Sequence, residues 1–131
     1  ELVTNGRLLS MPGVAKKLHA AGVTRVLIKR HRLADADEDR FCQAEGAGAQ
    51  MWAGAARVTE DAPGLAWRLL LVVARDGVGE LGAIADKAAA LGASGVQLKV
   101  MAAEVPLAEL TRFGAEISAF SQREGVVVEG F

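Results

Sequence analysis

Apolar residues gather into five short runs along this chain: Leu2–Val3, Val23–Ile28, Leu69–Val73, Val96–Val100 and Val126–Val128. About 20 to 40 mixed residues separate each run from the next, enough for one crossover helix per interval. Continuous apolar runs that alternate with helix-patterned stretches predict βα units feeding a parallel sheet covered on both faces. The punctuation between runs refines the elements. Asn5-Gly6 supplies a turn after the first strand. Ser10 is the expected N-cap of a helix that carries Val14, Leu18 and Ala21 on one face and stops at Gly22. The acidic segment 33–39 leads into a helix over Asp37 to Val58, interrupted at Gly46–Gly48, with Phe41, Met51, Trp52 and Ala55 on its buried side. Leu65 to Ala74 reads as a strand, and Gly77 to Leu91 as a helix that turns Leu81, Ile84, Ala85 and Ala88 inward and stops at Gly92. Val105-Pro106 opens the last helix, with Leu107, Leu110, Phe113, Ile117 and Phe120 at helical spacing, and Gly125 ends it.

The expected fold is therefore α/β: a partial (βα)-barrel arc of about five parallel strands in sequence order, with four helices on the outer face. The 131 residues suit a single domain. The first apolar run is short, so residues 1–131 are expected to belong to a larger barrel.

Composition narrows the class. The hydrophobic fraction of 51% is high, and apolar strands account for it, because no stretch reaches the roughly 18 residues a membrane span needs. A net charge of −1 argues against nucleic acid as a partner. The single cysteine, Cys42, excludes an intramolecular disulfide and any zinc or iron–sulfur site ligated by cysteines alone. With no signal-peptide pattern at Glu1, a cytoplasmic location is expected. Cys42 is expected to be a buried small hydrophobe, His19 a surface residue, and Lys16-Lys17 a solvated helix face.

Two segments carry candidate chemistry. Lys29-Arg30-His31-Arg32 lies at the C-terminal end of a strand, where parallel sheets bind ligands. Alternation sends Leu27, Lys29 and His31 to one side, and the cations there suit a carboxylate or phosphate. Gly77-Val78-Gly79-Glu80-Leu81-Gly82 has the G-x-G-x-x-G spacing of a dinucleotide loop. However, Arg75-Asp76 separate it from the strand, and no carboxylate stands at the end of the next strand near Lys99-Val100. Asp35, Asp37 and Asp39 alternate as in a calcium loop, but the glycine and distal glutamate are misplaced. No paired-carboxylate, catalytic-triad or metal-ligand spacing is read from the chain.

Several stretches in order resemble the radical S-adenosylmethionine (radical SAM) superfamily. Leu2-Val3-Thr4-Asn5-Gly6-Arg7-Leu8-Leu9 is similar to the T-N-G-x-L that ends the third strand of such barrels. Val14 to Ile28 resembles the following helix and fourth strand, and Asp37 to Gly46 the D-x-x-H-D…G stretch after it. Leu69 to Val100 resembles the fifth strand, its helix and the sixth strand. The departures are specific. The cysteine triplet that binds the family's [4Fe–4S] cluster would precede the T-N-G strand and is not in this chain. Lys29 stands where the family often has Ser, and Asp39-Arg40 where it has His-Asp. Leu71 to Ala93 also resembles the first βα unit of an ACT regulatory domain, but that fold needs a hairpin where this chain predicts a helix over 106–124.

The radical SAM resemblance implies a half-barrel that binds SAM and a small-molecule substrate, with the cluster held by residues outside this sequence. Thr4, Asn5, Lys29, His31, Arg75 and Lys99 would hold polar parts of SAM or substrate at successive strand ends. None is assigned as acid, base, nucleophile or metal ligand. No activity is expected of this segment alone, and its implied partner is a missing N-terminal half-barrel or a second copy. The alternatives are a nucleotide- or anion-binding module using the Gly77–Gly82 loop, and a structural half-barrel that associates with another chain.

Overall fold

The computed structural model describes residues 1–128. Five strands form one sheet: β1 (Leu2–Thr4), β2 (Arg25–Arg30), β3 (Ala66–Val73), β4 (Val96–Val100) and β5 (Val126–Val128). Their order is β1-β2-β3-β4-β5, and every neighbouring pair is parallel. The α/β arc in sequence order is thus as expected. No described helix is long and apolar enough to cross a membrane.

Five α-helices connect the strands rather than four: α1 (Val14–Ala20), α2 (Asp35–Cys42), α3 (Ala47–Asp61), α4 (Leu81–Ala90) and α5 (Leu110–Ser121). The extra helix arises because the 37–58 stretch breaks between Gln43 and Gly46. Gln43 is left-handed, at φ 54°. The Asp39 carboxylate, still on α2, accepts from the amides of Gly46 and Gly48 at 2.9 and 2.7 Å and starts α3 anew. Ser10 does not cap α1. It closes a 3₁₀ turn over Leu8–Ser10, its hydroxyl donating to the Arg7 carbonyl at 2.6 Å. Ala21 is exposed, and Ala15 takes the buried place on α1. Gly22 and Gly92 end their helices at φ +98° and +103°, as expected.

The helices cover only one face of the sheet, as the arc with helices on its outer face requires; the two covered faces that continuous apolar strands suggest are not formed. Val26 and Ile28 of β2, Trp67, Leu69, Leu71 and Val73 of β3, and Val96 and Leu98 of β4 pack with the helices in one core. Trp52 and Met51 of α3, Ile84 and Ala88 of α4, and Phe113 and Phe120 of α5 close it. The alternate strand positions face the other way. There, Leu27, Leu70 and Val72 form a small separate cluster with no helical residue in it.

Two residues of α2 differ from expectation. Phe41 is 44% exposed and Cys42 is exposed. The buried residue of this short helix is a carboxylate, Glu38, at 3% exposure.

Candidate functional site

All strands are parallel, so their C-terminal ends lie along one edge, and the loops that follow bring the polar residues together. On the helix-free face a cavity of about 580 Å³ has Leu27, Leu70 and Val72 as its floor. Lys29, Lys99 and His31 line the same cavity. Lys29 pairs in register with Leu70, and Lys99 with Val72, so the two lysines straddle β3. A second cavity of about 260 Å³ shares His31, Phe41 and Val72, and adds Arg32, Arg75 and Asp76.

Three of the six expected site residues, Lys29, His31 and Lys99, therefore meet at one cavity, and Arg75 lies in the adjoining one. Arg75 is already committed to a bidentate pair with Glu109, at 2.8 Å for both contacts. Thr4 and Asn5 line neither cavity. The Thr4 hydroxyl accepts from the Gly6 amide and the Asn5 carbonyl oxygen from the Arg7 amide, both at 3.1 Å, so both side chains build the turn after β1.

The Gly77–Gly82 segment is not an open loop. Residues Arg75–Glu80 form a 3₁₀ turn, and Gly82 lies inside α4. A Cβ on Gly77 would come within 3.0 Å of the His31 carbonyl oxygen, so this turn is packed against the β2 end. Glu80, before α4, pairs with Arg32 at 2.7 Å. The described strand order also has no reversal, and so no switch-point crevice for a dinucleotide.

Beneath the cavity lies a buried ionic cluster that the sequence reading did not assemble. Arg30 is fully buried. Its guanidinium donates to the carbonyls of Arg32, Gly48 and Leu33 at 2.6, 2.7 and 2.9 Å, and to Asp35 at 3.0 Å. It also lies 4.7 Å from the centre of the Trp52 ring. Glu38 Oε1 accepts from the amides of His31 and Arg32 at 2.9 and 2.7 Å. Glu38 Oε2 is 2.9 Å from His31 Nδ1. Burial alone would raise the Glu38 carboxyl, but the hydrogen bonds from His31 and the Arg32 amide, with the charge of Arg30, outweigh it and hold the group below its ordinary value. An ionised carboxylate only accepts, so Nδ1 carries the proton of that contact. Cys42 is exposed as a residue, but its Sγ points at Glu38 Oε2 in a part-buried contact. Partial desolvation there, then the Glu38 charge, push the thiol up to about 11, so it remains a thiol rather than a nucleophilic thiolate.

One signal could have found Arg30. It shares its strand face with Val26 and Ile28, so the alternation that places Lys29 in the cavity places Arg30 in the core.

The pH response of the fold follows from this region. Asp39 is held below its ordinary value by the amides of Gly48 and Gly46. A depressed carboxyl adds stability above its unfolded value, and that stability is lost as pH falls through the folded one. Thermal melts are expected to fall in midpoint below about pH 4. Asp39→Asn is expected to be less stable at neutral pH and to show a flatter acid limb. Parallel pH profiles for variant and wild type would contradict this capping role.

No protein-family model matches the chain, and no curated protein matches it. Fold and site define the class: an α/β protein with an open parallel sheet, helices on one face, and on the other a cavity lined by Lys29, Lys99, His31 and Glu1.

Proposed function

We propose that this chain is the ligand-binding half of a radical SAM-type barrel, holding SAM and a small-molecule substrate against the helix-free face of its sheet. One observation carries the reading: an apolar floor of Leu27, Leu70 and Val72 beside the ammonium groups of Lys29 and Lys99, in a cavity of about 580 Å³. That size suits a small-molecule site. SAM has a flat adenine for the floor and a carboxylate for the lysines. Lys29 and Lys99 would bind and orient it, and His31 would mark the rim. In the enzymes this chain resembles, SAM is the source of a 5′-deoxyadenosyl radical.

The [4Fe–4S] cluster does not fit this chain. Such clusters take several thiolates, and Cys42 is the one cysteine. No chemical step is therefore assigned to these residues. The rest of the barrel would come from another segment or a second copy. In support, the edge strands expose Leu2 and Val3 of β1 and Val127 and Val128 of β5.

Calorimetric titration tests the reading. SAM and S-adenosylhomocysteine, which both carry the carboxylate, are expected to bind alike, and methylthioadenosine, which lacks it, more weakly. Lys29→Ala and Lys99→Ala are each expected to weaken SAM about tenfold, the size of one charge-assisted hydrogen bond. They should leave methylthioadenosine unchanged. Equal SAM affinity in wild type and the double variant would overturn the proposal.

A further inference from the structure

Where β2 gives way to α2, side chains of three different ligating chemistries converge. His31 follows the strand, and Glu38 and Cys42 stand four residues apart on α2, one turn apart on one helix face. His31 Nδ1 lies 2.9 Å from Glu38 Oε2. Cys42 Sγ lies 3.5 Å from that oxygen and 4.0 Å from Nδ1. Zinc bonds of about 2.0–2.1 Å to N or O and about 2.3 Å to S, at tetrahedral angles, set ligand atoms about 3.3–3.6 Å apart. The sulfur–oxygen edge already has that length, and the other two edges bracket it. Shifts of about half an ångström would bring all three atoms onto one ion.

We propose that His31, Glu38 and Cys42 form a zinc(II) site with three protein ligands and a fourth position open to the cavity.

The surroundings support this assignment. Glu38 is 3% exposed, and its other oxygen, Oε1, is fixed by the amides of His31 and Arg32. Outer hydrogen bonds of this kind aim a ligating carboxylate and hold it ionised. The His31 ring stacks on Phe41, with centroids 4.1 Å apart, which sets its plane. Of the three ligands, His31 lines both cavities together with Phe41, whereas Glu38 and Cys42 line neither, so water or a ligand would reach the fourth position from the His31 side. A mixed nitrogen, oxygen and sulfur set selects zinc over magnesium or calcium, which take oxygen. Arg30 opposes the ion by charge, but its Nε approaches Oε1, at 3.8 Å, and not the oxygen assigned to the metal. On binding, zinc replaces the Nδ1 proton, the ring keeping its one proton on Nε2 as the other neutral tautomer, and the Cys42 thiol releases its proton to solvent. The site uses neither Lys29 nor Lys99, so it stands or falls separately from SAM binding.

Cobalt(II), a spectroscopic stand-in for zinc, tests the site in protein freed of any purification tag. One equivalent is expected to produce a thiolate-to-cobalt charge-transfer band and the intense visible bands of four-coordinate cobalt, and zinc should erase both. Cys42→Ser, at an exposed position, should lose the charge-transfer band while its circular dichroism stays that of wild type. His31→Ala should bind cobalt at least about tenfold more weakly. A wild-type protein with no charge-transfer band at one equivalent would overturn the site. So would a band of equal affinity in His31→Ala, because that marks metal on an exposed thiol alone.

Discussion

Arg30→Met is expected to destabilise the fold by about 3–5 kcal/mol, the range for removing one partner from a buried ionic cluster. The reasoning rests on what would be left behind. Arg30 is fully buried, and its guanidinium saturates the carbonyls of Arg32, Gly48 and Leu33. Methionine keeps most of the volume, so cavity formation contributes little. The Arg32 and Leu33 carbonyls lose their side-chain donor, each at a cost of about 1–3 kcal/mol if left unsatisfied, whereas the Gly48 carbonyl, inside α3, keeps its helical one. Glu38, still ionised and buried, loses the positive charge 3.8 Å from Oε1. Arg30→Lys is expected to recover no more than part of the loss, because a lysine ammonium cannot present a planar fork to carbonyls on several sides. Urea unfolding with an unchanged slope measures the effect. A midpoint shift worth less than about 0.5 kcal/mol, the range of ordinary surface changes, would mean that the cluster does not hold the β2–α2–α3 corner together.

That corner shows where the chain is legible and where it is not. The strands read directly from the sequence, because parallel-sheet strands are continuous apolar runs, and Leu69–Val73 and Val96–Val100 lie in β3 and β4 as read. The turn after β1 is equally legible, because Thr4 and Asn5 bond to amides two residues on. Arg30 is harder. It sits in a run of four basic residues that looks like one polar patch, yet alternation splits the run between two faces. Its acceptors come from positions 32, 33, 35 and 48, a loop closure that no periodicity encodes. Gly46 signals the break at Gln43–Gly46, but the capping Asp39 reads as one more acid in a charged helix start. The cavity needs strand order as well as pattern. Lys29 and Lys99 are 70 positions apart in the numbering, and only the β2-β3-β4 order brings them about 12 Å apart, across one intervening strand and two residues along it.

Gly54→Ala is expected to cost about 2–3 kcal/mol, against the direction that helix propensity alone predicts. Alanine favours a helix interior over glycine by about 1 kcal/mol, and Gly54 lies inside α3. Packing decides otherwise. A Cβ at this position would collide with the carbonyl oxygen of Gly6 and come within 3.1 Å of Leu9 Cβ. Neither obstacle is a flexible side-chain end. The Gly6 carbonyl is held in place, accepting from the Leu9 amide at 3.2 Å. Gly6 itself sits at φ +81°, with Ile28 Cγ2 only 2.9 Å from where its own Cβ would lie. The turn after β1 therefore cannot retreat, and α3 must move instead, dragging Met51 and Trp52 out of the core and the Gly48 carbonyl away from Arg30. Overpacking of this kind typically costs about 1–3 kcal/mol. Gly114→Ala in α5 makes the same chemical change where nothing lies within 4 Å, and it is expected to stabilise by up to about 1 kcal/mol. Opposite signs for the two substitutions in urea unfolding would locate the close approach of α3 to the β1 turn. A Gly54→Ala protein as stable as wild type would show that the helix does not rest on that turn.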